Sequence, residues 1–70
     1  MLNAQDMVVE QLPGLRRYAA SLSRNSVRAE DLAQDTVERA LTRLHQWQAG
    51  SDLRAWLFSI MHSQYVNFAK

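Results

Sequence analysis

Apolar residues in this chain recur every three to four positions in three successive blocks. That is the period of an α-helix with one buried face. No stretch of four or more residues alternates apolar and polar side chains with β-branched enrichment, so no strand is predicted. The first block runs from about Asn3 to Leu22, with Met7, Val8, Leu12, Leu15, Tyr18, Ala19 and Leu22 on one side. Pro13 sits inside it, lacks a backbone donor and crowds the preceding turn. The pattern therefore predicts a kink, or a short helix ending near Gln11 or Leu12 and a second one starting at Pro13. Ser23-Arg24-Asn25-Ser26 reads as a polar turn, with Asn25 or Ser26 as the next N-cap.

The second helix is predicted from about Val27 to Trp47. On a wheel of 100° per residue, Leu32, Ala33, Thr36, Val37, Ala40, Leu41, Leu44 and Trp47 fill one half. Asp31, Gln34, Asp35, Glu38, Thr42 and His45 fill the other. Glu30 and Asp31 fall in the first turns and Arg43 and His45 near the far end, as the helix dipole favours. Gly50 is a natural terminator, and Ser51 or Asp52 can cap the third helix. That helix is predicted from near Leu53 to the end of the chain. Leu53, Leu57, Ile60, Met61, Tyr65 and Phe68 form its buried stripe, flanked by Trp56 and Phe58. Ala55, Ser59, His62, Ser63, Val66 and Lys70 face outward. Amphipathic helices joined by short turns bury their stripes only against one another, which predicts an all-α fold, a small bundle of three main helices.

Composition narrows this picture. Seventy residues make one small domain of marginal stability, on the order of a few kcal/mol. A hydrophobic content of 47% is enough for a core and too high for a disordered tail. The absence of cysteine removes disulfides and thiolate metal sites and fits a cytoplasmic location. No apolar run approaches the ~20 residues that span a bilayer, so no membrane insertion is expected. A net charge of +1 argues against strong non-specific phosphate binding by this domain alone.

Catalytic signals are missing. His45 and His62 lie on different predicted helices without partners at metal-ligand spacing, and there is no HExxH, CxxC or Gly-rich phosphate loop. No enzyme activity, cofactor or metal is expected. Two surfaces remain. The acidic strip of the second helix reads either as an ordinary solvated face or as a docking face for a basic partner. The segment Gln46-Trp47-Gln48-Ala49-Gly50-Ser51-Asp52 reads either as a plain turn or as a loop whose polar side chains meet the edges of an unstacked base, with Trp47 as a stacking surface. Arg54 is placed to pair with Asp31, Asp35 or Glu38, or to meet phosphate.

Three segments in order resemble region 2 of bacterial extracytoplasmic-function (ECF) sigma factors. Leu12-Pro13-Gly14-Leu15-Arg16-Arg17-Tyr18-Ala19 looks like the family's first core helix. Ala29-Glu30-Asp31-Leu32-Ala33-Gln34-Asp35-Thr36-Val37 looks like its (A)EDLVQETF segment. Asp52-Leu53-Arg54-Ala55-Trp56-Leu57-Phe58-Ser59-Ile60 looks like its FRAWLF helix. Val37 and Leu53 stand where the family often carries an aromatic, so the core is smaller here. Nothing in the chain resembles region 4, so residues 1–70 are expected to be a region 2 domain by itself.

The resemblance implies a transcription-initiation module. Asp31, Gln34, Asp35 and Glu38 would contact the beta-prime coiled coil of core RNA polymerase. Gln48, Ala49, Gly50, Ser51 and Asp52 would form a loop capturing a non-template base of the promoter minus-ten element. Arg54, His62, Gln64, Asn67 and Lys70 would supply further DNA contacts from the following helix. The family is commonly held by inhibitors, so an anti-sigma factor is an implied partner. The alternative is a sigma-like interaction module, bound by such a regulator and without DNA binding of its own.

Overall fold

A computed structural model describes residues 3–69 of the chain, with side chains described for residues 3–67. Four α-helices account for most of it: α1 (Ala4–Glu10), α2 (Leu12–Leu22), α3 (Ser26–Thr42) and α4 (Leu53–Ala69), with a 3-10 turn at Leu44–Gln46. The side chain of Phe68, expected in the buried stripe, and the whole of Lys70 lie outside the described residues.

Three helix starts use the same device. The Oδ1 of Asn3 accepts from the Asp6 N–H at 2.8 Å, that of Asn25 from Arg28 N–H at 3.1 Å and that of Asp52 from Ala55 N–H at 3.1 Å. Each satisfies a first-turn donor that the helix leaves unpaired. The start of α2 is different. Its second residue is Pro13, which needs no acceptor, and the chain breaks at Gln11, whose N–H bonds the Val8 carbonyl at 3.0 Å. Of the two outcomes expected at Pro13, the split is the one observed.

The second predicted helix ends earlier than expected. α3 stops at Thr42, and the stretch through Trp47 is a tighter 3-10 turn followed by extended backbone at Trp47. The Thr42 hydroxyl donates to the Glu38 carbonyl at 2.9 Å, a back-bond that loosens the helix ladder. A 3-10 turn aligns side chains three apart. Leu44 and Trp47 thereby still turn inward and pack against the core.

The core is built from Val8, Leu15, Ala19, Ala29, Leu32, Ala33, Ala40, Leu53, Leu57, Ile60 and Met61. Alanines at four of these positions let α3 lie close between α2 and α4, and most interhelical packing runs through it. Thr36, assigned to the apolar half, is fully buried, its hydroxyl satisfied by the Leu32 carbonyl at 2.8 Å. Leu41 departs from its predicted place and is 37% exposed, at the margin of the apolar stripe.

α2 and α4 run in the same direction. Arg54 Nη2 lies 3.8 Å from where a Cβ on Gly14 would stand. One turn further along each helix, Tyr18 stacks on Phe58 with centroids 4.5 Å apart and planes at 23°. α3 returns antiparallel beside α2, tied near its start by Arg16 Nη2 and Glu30 Oε1 at 3.0 Å.

Candidate functional site

The acidic face of α3 follows from its 3.6-residue period: Leu32, Ala33, Thr36 and Ala40 turn inward, which leaves Asp31, Gln34 and Glu38 exposed on the other side. Asp35 is only half-exposed. Its Oδ2 accepts from Arg39 Nε at 3.0 Å, one helical turn on. The strip therefore offers two free carboxylates and an amide, with its third carboxylate already held by a neighbouring cation. Arg39 follows Asp35 by four residues, the spacing that signals such a pair on a helix.

The loop after the 3-10 turn is a small closed structure. Ser51 N–H and Ser51 Oγ both donate to the Gln48 carbonyl, at 3.1 and 2.6 Å. Gly50 has φ +93°, a left-handed value that ordinary residues adopt at a cost of about 1–2 kcal/mol. Gln48, Ala49, Gly50, Ser51 and Asp52 are all exposed, and Asp52 also caps α4. Trp47 is not an open stacking platform. Its ring is half-buried against the core, and its indole N–H is buried without an acceptor. A buried donor left unpaired costs about 1–3 kcal/mol. This one stands at the root of the loop.

On α4 the expected contacts divide. His62 and Asn67 are exposed. Gln64 is 7% exposed and packed into the bundle, which corrects its assignment to a DNA-facing surface: it lies on the inward side with Met61 and Ile60. Lys70 lies outside the described residues. Arg54 forms no ion pair with Asp31, Asp35 or Glu38. Its guanidinium lies over the Phe58 ring, 5.2 Å from the centroid, on the side of the bundle that faces α2. Phe58 is thus engaged by both Tyr18 and Arg54. Among the described residues no group of three or more His, Cys, Asp or Glu could hold a metal ion.

Known proteins place this geometry. The family model described as the Sigma2 domain of PhyR matches residues 8–62, most of the chain. The chain is 44% identical over 61 residues to the ECF RNA polymerase sigma factor EcfG of Rhodopseudomonas palustris, covering 87% of this chain and 34% of that protein. The chain belongs to the ECF sigma factor region 2 family.

Two further likenesses agree. The RNA polymerase sigma factor YlaC of Bacillus subtilis is 42% identical over 40 residues, which is 57% of this chain and 23% of YlaC. The sigma factor RpoE, solved in complex with the anti-sigma factor NepR from Bartonella quintana, superposes with a TM-score of 0.85 at 38% identity. That match covers 91% of this chain and 40% of the RpoE chain, so the region 2 domain spans well under half of these relatives. Sigma factors initiate transcription and are not enzymes, and the all-α bundle is the region 2 fold. None of the helices among the described residues is long and apolar enough to cross a membrane.

Proposed function

We propose that this region 2 domain docks on the beta-prime coiled coil of core RNA polymerase through α3 and engages the non-template strand of the promoter minus-ten element through the Gln48–Asp52 loop. The observation that carries the reading is the exposed strip of Asp31, Gln34 and Glu38 on a helix whose other side is fully committed to the core. Such a strip has no structural task inside the bundle. Carboxylates facing a basic coiled coil contribute on-rate and register more than bulk affinity. Asp35 joins them by exchanging or sharing its Arg39 partner.

Promoter engagement is supported by the loop. It is exposed, and its backbone is fixed by the Gln48–Ser51 turn. Taking one base out of the stack costs a few kcal/mol, so a domain of net charge +1 acts together with the polymerase rather than alone. Asp52, Ser51 and Gln48 are the side chains that meet the base; His62, Asn67 and Arg54 are the further contacts of α4, and Gln64 drops out because it is buried.

A second reading has its own support. A similar chain, RpoE, was solved with the anti-sigma factor NepR bound. An inhibitory partner that covers these surfaces is the natural regulator of such a domain.

Calorimetric titration of a beta-prime coiled-coil fragment tests the first reading. The native domain binds, and Asp31→Arg/Glu38→Arg, with helical circular dichroism retained, loses at least tenfold in affinity. Equal binding by both proteins overturns the docking face.

A further inference from the structure

Arg54 is the second residue of α4 and stands two positions beyond Asp52. It is exposed, yet its guanidinium is set against two neighbours. The Phe58 ring, one turn further along α4, has its centroid 5.2 Å from Arg54 Cζ. On α2, the place where a Cβ on Gly14 would stand is 3.8 Å from Arg54 Nη2, so Gly14 borders the guanidinium with no side chain to crowd it. Phe58 is itself fixed from α2, where Tyr18 stacks on it with centroids 4.5 Å apart and planes at 23°. Gly14 and Tyr18 are four residues apart, as are Arg54 and Phe58, so one turn of each helix makes a single assembly.

None of these neighbours neutralises the cation. Among the described residues, the ion pairs are Arg16 with Glu30 and Arg39 with Asp35. An aromatic ring attracts a cation without offering it a lone pair, so the guanidinium donors keep their capacity for an anion. Charge gives this capacity a use. Asp52 is the only acid of the Gln48–Asp52 loop, and its exposed carboxylate repels an anionic strand. A cation two positions away offsets that repulsion.

We propose that Tyr18 and Phe58 are positioning residues that hold the Arg54 guanidinium at the exit of the Gln48–Asp52 loop, as a clamp for one backbone phosphate of single-stranded DNA. This rests on the promoter reading above and adds to it the two rings that aim the cation; neither ring belongs to the α3 strip or to the loop. The planar fork of a guanidinium matches two phosphate oxygens at once. A free arginine side chain loses rotamer freedom when a ligand orders it, and one already confined loses less. A phosphate contact fixes where the strand lies and carries no sequence information. The clamp therefore sets the strand's register while the loop meets the base.

The test titrates the isotopically labelled chain with a single-stranded minus-ten oligonucleotide at several salt concentrations, followed by nuclear magnetic resonance with the Arg54 Nε–H signal included. Arg54→Gln is expected to lower the slope of log affinity against log salt by about 0.7, the share of one phosphate on a single strand. Phe58→Leu and Tyr18→Leu keep the charge and hence the slope, but weaken binding about threefold, because the strand must then order the side chain. Phe58→Tyr retains a ring and restores native binding. In the Arg54→Gln background Phe58→Leu weakens binding no further, an outcome that a purely structural role of the ring does not produce. If a leucine variant loses its helical circular dichroism, relaxation of the arginine Nε signals in the native chain decides: Arg54 is restricted, whereas the exposed Arg24 and Arg28 are mobile. An unchanged slope in Arg54→Gln, additive losses in the double variant, or an Arg54 Nε as mobile as that of Arg24 overturns the clamp and leaves the promoter reading standing. An Arg54 signal that moves with a beta-prime coiled-coil fragment and not with the oligonucleotide assigns the cation to protein docking and overturns the clamp too. No oligonucleotide binding by the native chain overturns the promoter reading and the clamp together.

Discussion

Asp52 closes the loop and opens α4 with one carboxylate: its Oδ1 holds the Ala55 N–H, while the side chain remains exposed beside Ser51 and Gly50. Its two roles separate by substitution. Asp52→Ala removes the cap and is expected to destabilise the domain by about 1 kcal/mol in urea denaturation. Asp52→Ser keeps an oxygen for Ala55 N–H and restores most of that stability, yet lacks the carboxylate for a base edge. Equal stability of the Ala variant and the native chain would show that the cap does not operate in solution. At this scale the sequence was only partly legible. Polar caps before α3 and α4 were readable, with Ser26 and Ser51 as alternatives to Asn25 and Asp52, and the structure selects the latter two. Gln64 was not: outward-facing polar residues surround it, and only the packing of α4 shows that it points inward with Met61. Of the two expectations for Arg54, pairing with the α3 acids or meeting phosphate, the first does not hold: its guanidinium lies over the Phe58 ring at i+4, on the side facing α2.

Among the elements, α3 carries most of the packing and all of the proposed docking strip. Its apolar half was readable from periodicity down to the buried hydroxyl of Thr36. Its end was not, because Leu44 and Trp47 keep the apolar spacing through a 3-10 turn as well as through an α-helix. The Asp35–Arg39 pair lies on this helix with both side chains partly solvated, at 31% and 41% exposure, so water screens it. Arg39→Gln is therefore expected to change stability by less than about 0.5 kcal/mol in thermal unfolding. A loss well above 1 kcal/mol would mean that the pair holds the bundle together rather than merely conditioning the charge of the strip. Pro13 marked a break in the first block but left a kink and a split both open; the structure takes the split, as a residue without an N–H fits the first turn of a new helix.

At the scale of the whole molecule, one core holds the two proposed surfaces in fixed relation: the α3 strip and the loop before α4. The exposed polar positions of the strip and of the loop were legible within a region 2 pattern; their partners are proposals. The reading that these two surfaces serve different macromolecules is tested most directly by residue-resolved magnetic resonance of the labelled chain. A beta-prime coiled-coil fragment and a single-stranded minus-ten oligonucleotide are added separately and then together. The region 2 reading predicts that the fragment perturbs Asp31, Gln34 and Glu38, that the oligonucleotide perturbs Trp47 through Asp52 including the indole N–H, and that both bind at once. Perturbation of the same residues by both ligands, or of neither surface by either, would contradict it.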